Sequence, residues 1–359
     1  MADMTDEIDL PLEDFHAMRD YIHEKSGMYF GDNKAYLLKG RLMRRMEELG
    51  IGSFRDYFYR VKYDTSLGEF NRMIELVSTN ETSFFRNETQ LLSFANEALP
   101  LILENKRKKD ERKSLRIWSA GCSTGEEPYT LAMMIKDALK DDPGWQVQIF
   151  ANDISERVLQ TARTGEYGQL SMRGVPQDVL TNHFEKSGDR FRIKSDLKAM
   201  VRFVHLNLND VRKFSMYKNL DFIFCRNVII YFSDEMKKRL FRAFYQCMNP
   251  GGYLFLGHSE SLHGITKAFR LVYFKGALVY EKGDSPEIAD DKAPSEVASF
   301  RTKMAGLSTS VVKRTPTPTR ITPVGAHAGA QTTGATRAME LLAKLKANNA
   351  KQSVAPIRT

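Results

Sequence analysis

Apolar residues recur every three or four positions through the opening part of the chain. The stretches LEDFHAMRDYIHEKSG (12–27), AYLLKGRLMRRMEELG (35–50) and SFRDYFYRVKYD (53–64) all show this spacing, and the first two close on glycine. That period predicts amphipathic helices with glycine stops. A fourth helix is predicted in LGEFNRMIELVS (67–78). In the second helix, Leu38, Leu42 and Met46 follow four-residue spacing and are assigned to a core, while Arg41, Arg44 and Arg45 fall on a neighbouring face. Residues 1–77 are expected to form an all-helical domain.

The string STNETSFFRN (78–87) breaks the pattern, and QLLSFANEALPLILENKRKKDERK reads as a connecting helix, so 78–113 is taken as a linker. From Leu115 the period changes. LRIWSA, VQIFAND, VRFVHLNL, LDFIFCRNVIIYF and GGYLFLGHS read as strands, with helices EPYTLAMMIKDAL, SERVLQTARTG and SDEMKKRLFRAFYQCMN between them. Alternating strand and helix implies an α/β fold with a parallel, doubly wound, Rossmann-like sheet over 114–282. The chain then offers FRLVYF and ALVYEK around Lys275-Gly276, an antiparallel hairpin. Residues 165–200 are too many for a simple helix-to-strand connection and are expected to form a small inserted β-subdomain.

Composition changes past Gly283, where Pro, Ser, Thr, Ala and Gly dominate. Such a stretch buries too little apolar surface to offset its ordering entropy. Residues 283–359 are expected to be a disordered tail with a possible helix at 335–351, whose Leu341, Leu342 and Leu345 could meet a partner of unknown identity. The tail also carries 11 Lys/Arg against 6 Asp/Glu, or +5, leaving +3 of the total +8 for residues 1–282. That weak balance argues against nucleic acid, which demands a strong basic footprint.

The three cysteines, Cys122, Cys225 and Cys247, lack paired spacing, so neither a disulfide framework nor a metal site is expected. No apolar run approaches the roughly 20 residues of a membrane span. The acidic opening MADMTDEIDL has no signal-peptide core. The chain therefore reads as soluble and cytoplasmic.

Candidate chemistry begins at RIWSAGCSTGEEP (116–128), where the first strand of the sheet passes into a helix. Gly121 and Gly125 would let the backbone turn tightly beside a ligand, although an ordinary strand-to-helix turn uses the same residues. Asp153 follows at the end of the second strand, where an acid can hold both ribose hydroxyls or simply cap a helix. Loop and acid together favour a nucleotide-like cofactor without separating nicotinamide from S-adenosylmethionine.

Five strings in the same order, STNETSFFR, IWSAGCSTGEEPYTLAM, FANDIS, CRNVIIYF and GGYLFLGHSES, resemble the CheR family of protein-glutamate O-methyltransferases over roughly residues 12–282. The closing hairpin agrees, being usual in methyltransferases rather than dehydrogenases. The resemblance implies S-adenosylmethionine as cofactor and S-adenosylhomocysteine as product, with no metal. The substrate it implies is a glutamate side chain of a chemotaxis receptor's cytoplasmic domain, so the enzyme would meet the membrane only through its receptor.

The same resemblance implies that Asn80, Thr82 and Arg86 contact the cofactor. Glu127, ahead of Glu126, would take its ammonium, Asp153 its ribose, and Asn207 with Leu208 its adenine. Arg226 and Asn227 would line the cofactor. From the chemistry of methyl transfer, Arg86 and Tyr231 could orient the reacting groups, and the basic face of Arg41, Arg44 and Arg45, read from helical spacing and supported by the resemblance, would meet the acidic receptor. A nucleic-acid methyltransferase is disfavoured, since there is no Asn-Pro-Pro-Tyr-like string and Cys225 follows Phe224 rather than proline. The remaining alternative is a catalytically weak module that binds S-adenosylmethionine and docks to signalling proteins.

Overall fold

The computed structural model describes residues 8–109 and 112–283. The expected disordered tail and its helix at 335–351 lie outside the described residues. Four helices come first: α1 (Leu12–Ser26), α2 (Ala35–Leu49), α3 (Phe54–Tyr63) and α4 (Gly68–Val77). As the period predicts, Leu38, Leu42 and Met46 are fully buried. Helices α1 and α2 stop at Gly27 and Gly50, both left-handed.

The predicted connecting helix is interrupted. It runs as α5 (Glu88–Ser93), a π turn over Phe94–Ala98, and α6 (Leu99–Lys108). Pro100 explains the interruption, because its ring opposes the carbonyl four residues back and it has no N–H to donate. The Leu99 N–H reaches Phe94 O, five residues back, instead.

Beyond α6 come β1 (Ser114–Ala120), α7 (Glu126–Ala138), β2 (Gln146–Asp153) and α8 (Glu156–Thr164). The inserted subdomain follows: β3 (Glu166–Tyr167), α9 (Gln177–His183), β4 (Phe184–Ser187), β5 (Arg190–Ile193) and α10 (Ser195–Met200). The chain returns through β6 (Val201–His205), β7 (Leu220–Cys225), α11 (Asp234–Cys247), β8 (Met248–Leu256), β9 (Phe269–Phe274) and β10 (Ala277–Lys282).

Seven strands form one sheet in the order β6-β2-β1-β7-β8-β10-β9, and β3-β5-β4 form a second, antiparallel one. In the large sheet β6, β2, β1, β7 and β8 are parallel, and β10 pairs antiparallel with both β8 and β9. Every residue of β7 is buried, as a strand covered on both faces requires. The apolar run continuing past it does not extend the strand. Asn227 turns left-handed (φ 60°) and Ile229–Tyr231 makes a short 3-10 turn.

Two cores flank the sheet. One is continuous from α1–α4 through Met28, Phe232 and Met236 to Trp118, Ile223 and Phe244, with α11 completing it. Trp118 stacks on Tyr217 there, ring centroids 4.2 Å apart. The other core joins α5–α7 and the inserted subdomain to the opposite face. The helical N-terminal region therefore leans directly on the sheet, with an isolated bridge between Met28 and Phe232. The carboxyl ends of the parallel strands face this junction, where open α/β sheets bind ligands.

Candidate active site

A cavity opens where β1, β2, β6 and β7 end, enclosing about 1130 Å³ counted out to its mouth. Its floor is the turn after β1. Gly121 and Cys122 donate their N–H groups to Asn152 O at 2.9 and 2.8 Å. Gly121 has φ 78°, and a β-carbon there would lie 2.5 Å from Val228 Cγ2, so only glycine lets the two loops touch.

Asp153 closes β2 and is 8% exposed. Its Oδ2 accepts the Ser123 N–H at 2.9 Å and its Oδ1 the Ser155 N–H at 3.0 Å. Burial pushes its carboxyl above the ordinary range, against the pull of these amides. A carboxylate has about four acceptor sites, so two N–H donors leave capacity for hydroxyl donors. Glu127 lies across the cavity. Its Oε1 accepts from Ser119 Oγ at 2.7 Å and its Oε2 from Arg226 Nη1 at 3.1 Å. The neighbouring Glu126 is buried against Thr124 Oγ1 at 2.6 Å and is not part of the lining.

The wall opposite is the strap 78–87. Asn80 O accepts from Ser123 Oγ at 3.0 Å, Arg86 Nη1 donates to Glu81 O at 2.8 Å, and Arg86 O accepts from Arg226 Nη2 at 2.5 Å. Asn80, Thr82, Arg86, Glu127, Asp153, Asn207, Leu208, Arg226, Asn227 and Tyr231 all line this one cavity. Acceptors at Asp153 and Glu127, with an apolar wall at Ile154, Leu208 and Met28, suit a ligand carrying a ribose, an ammonium and a flat base.

The comparisons with known proteins agree with this geometry. Residues 80–277 match the model described as CheR methyltransferase, SAM binding domain, and residues 13–78 match CheR methyltransferase, all-alpha domain. The chain belongs to the CheR methyltransferase family. "Chemotaxis protein methyltransferase 2" of Vibrio cholerae is 35% identical over 278 residues, 76% of this chain and 95% of that one. "Chemotaxis protein methyltransferase 1" of Pseudomonas aeruginosa is 36% identical over 273 residues, 74% and 97% of the two chains. The Escherichia coli chemotaxis protein methyltransferase is 32% identical over 285 residues, 78% and 94%. This chain is thus a methyltransferase of the chemotaxis class with a domain that binds S-adenosylmethionine. Among the described residues no helix is long and apolar enough to cross a membrane, and no cluster could hold a metal ion.

In this CheR-family enzyme the arginines of α2 diverge. Arg45 turns inward and grips Glu69 with two bonds of 2.9 and 2.7 Å, while Tyr57 donates to the same carboxylate at 3.1 Å. This pairing raises the Arg45 pKa and lowers that of Glu69, against the effect of burial. Arg41 reaches Val77 O and Thr79 Oγ1. Only Arg44 stands out, its side chain 89% exposed and 3.5 Å from Glu48. The three guanidinium groups therefore do not form one exposed row, because Arg41 and Arg45 bend to acceptors in or just beyond α4 while Arg44 pairs with Glu48 on its own helix.

Two parts of the site carried no chemical signal in the sequence reading. The first is Ser26, Met28 and Phe30, which form a wall of the cavity from the N-terminal region. They are placed by Tyr29 N bonding Tyr231 O at 2.8 Å and by Asn207 Nδ2 bonding Lys25 O at 2.7 Å. The second is Glu260, in the string GHSES. Its Oε2 accepts from Asn227 N at 2.8 Å and Gly257 N at 2.7 Å, and its Oε1 from Ile230 N at 3.3 Å. A β-carbon at Gly257 would sit 2.7 Å from that carboxylate, so the glycine admits the clamp.

Glu260 thereby holds the left-handed turn from which Arg226, Asn227 and Tyr231 enter the cavity. Glu260→Ala is expected to lower kcat about tenfold, since it frees the turn and leaves the part-buried Asn227 and Gly257 amides unpaired at roughly 1–3 kcal/mol. Glu260→Gln, which can still accept one pair of N–H groups, should retain most activity. Equal kcat for parent and alanine variant would show that the turn holds without the clamp.

Proposed function

We propose that this enzyme methylates glutamate side chains in the cytoplasmic domains of chemotaxis receptors, giving methyl esters for sensory adaptation. One observation carries the reading: the ten residues named for cofactor and chemistry converge on a single cavity at the carboxyl edge of the sheet. When bound there, S-adenosylmethionine supplies a methyl group on a positively charged sulfur, an activated donor whose departure leaves neutral S-adenosylhomocysteine.

The chain's own task is then to place and dry a nucleophile. A glutamate has a reference pKa of about 4.3, so its carboxylate is ionised at neutral pH and needs no general base. Asp153 takes the ribose hydroxyls and Glu127 the ammonium. Arg226 fixes the Glu127 carboxylate from a buried position, with its side chain 4% exposed. Arg86 and Tyr231, which line the cavity, would orient the incoming carboxylate toward the methyl group of a bound cofactor, and because no proton need move, the site's contribution is alignment and exclusion of water. Tyr231 is held on both sides, its N–H on Val228 O at 3.3 Å and its carbonyl on Tyr29 N–H.

The helical region before residue 78 serves receptor recognition in this reading, and the sheet domain serves catalysis. Receptor methylation segments are acidic helical bundles in this family, and Arg44 is the α2 cation left in solvent to meet them. Such a contact governs encounter more than chemistry.

The test is transfer of labelled methyl from S-adenosylmethionine to receptor-containing membranes, followed by alkali. Label released as methanol supports glutamate ester formation. Label that resists alkali would assign another acceptor, and no transfer despite S-adenosylhomocysteine binding would leave the docking-module reading.

A further inference from the structure

We propose that Arg41 is a positioning residue for the cofactor cavity: it ties α2 to the strap that forms one cavity wall. The strap from Ser78 to Ser83 has no regular secondary structure, so no ladder of backbone bonds holds it. Its path depends on a few polar ties. Arg41 Nη1 donates to Val77 O at 2.5 Å and its Nη2 to Thr79 Oγ1 at 3.2 Å. Ser123 Oγ holds Asn80 O at 3.0 Å, and Arg86 Nη1 holds Glu81 O at 2.8 Å. At the entrance Ser78 bonds back to Ile74 O through its N–H at 2.9 Å and its Oγ at 2.6 Å, and Arg41 adds the tie from α2; Ser78, Thr79 and Asn80 line the cavity.

The ties are continuous with the ribose acid. From Arg41 the path runs through Thr79 and Asn80 to Ser123, whose N–H donates to Asp153 Oδ2 at 2.9 Å. A planar guanidinium suits this place, since it spans a carbonyl and a hydroxyl at once where an ammonium makes a point contact. Helix α2 and the cofactor cavity are mechanically joined through it. By linkage, a partner that shifts α2 changes cofactor affinity by the same factor as cofactor changes partner affinity.

This inference rests on the cavity being the S-adenosylmethionine site, and its primary readout, cofactor-product affinity, needs no receptor. Calorimetry with S-adenosylhomocysteine on the full chain is expected to show binding about tenfold weaker for Arg41→Ala, the loss of a charge-assisted bond. Arg41→Lys should recover part of that loss. Arg44→Ala, on the same helix but directed at solvent, should bind like the parent. Thr79→Val should weaken binding in the parent background and add little in Arg41→Ala, because the two side chains share one bond. Parental affinity in cooperatively folded Arg41→Ala and Arg41→Lys would overturn the proposal, and a raised receptor KM beside it would return Arg41 to substrate contact. Failure of the parent itself to bind S-adenosylhomocysteine would instead overturn the reading of the cavity.

Discussion

Alanine in place of Asp153 is expected to weaken S-adenosylmethionine and S-adenosylhomocysteine together. Both carry the same ribose, and a charged hydrogen-bond acceptor contributes roughly 1.5–3 kcal/mol, or about 10- to 150-fold in affinity. The residue also holds Ser123 N and Ser155 N, so the change loosens the turn after β1 as well as removing a ligand contact. Calorimetry that finds unchanged affinity for both ligands would remove Asp153 from the site.

The same carboxylate makes affinity sensitive to pH. Burial raises its pKa, so it gains its proton at a higher pH than an ordinary aspartate. Ligand affinity should therefore fall as pH is lowered through that raised value. Folding stability of the free protein has the opposite sign. A raised folded-state pKa means that the folded protein holds the proton more tightly, so this group's contribution is present at low pH and lost as pH rises through the folded value. Binding and melting curves collected across the acidic range should diverge in this way for the parent and lose the Asp153 component in Asp153→Ala.

Arg86→Ala is expected to keep a cooperative melt and lose about 100-fold in kcat, the scale of a misplaced reacting group. Its side chain makes one described bond, to Glu81 O, whereas the bond from Arg226 goes to the Arg86 main chain and survives truncation. The variant thus separates orientation of the incoming carboxylate from integrity of the fold. Single-turnover methyl transfer at saturating cofactor measures the effect directly. Activity within a few-fold of the parent would confine Arg86 to holding the strap.

What was legible in the sequence is what short-range periodicity and backbone chemistry encode. Leu38, Leu42 and Met46 are buried because four-residue spacing puts them on one helix face, whatever lies opposite. The parallel sheet, the closing hairpin and the glycine turn under the cavity were readable for the same reason. Alternating strands and helices restrict the layers that can pack, and Gly121 marks a backbone position that a side chain would block. The ring of cavity residues was named through family motifs, most of them near the end of a strand and the others, Asn80, Thr82 and Arg86, in the strap between α4 and α5.

Long polar side chains resisted that reading. Arg41, Arg44 and Arg45 occupy one helix within five residues, yet one reaches the strap, one enters solvent and one enters a buried pair with Glu69. The two that turn inward reach acceptors 24 to 38 residues away in sequence, although Arg45 also touches Glu48 on its own helix. Only the packing of α4 against α2 sets those distances. Glu260 and Ser26–Phe30 were hidden likewise, because a carboxylate beneath a turn and a loop closing a wall acquire their roles from segments distant along the chain. Local sequence determined the helices, the strands and the cavity floor. Tertiary structure alone decided which charges are spent inside the protein, because a hydrogen bond forms only where folding brings donor and acceptor within about 3 Å.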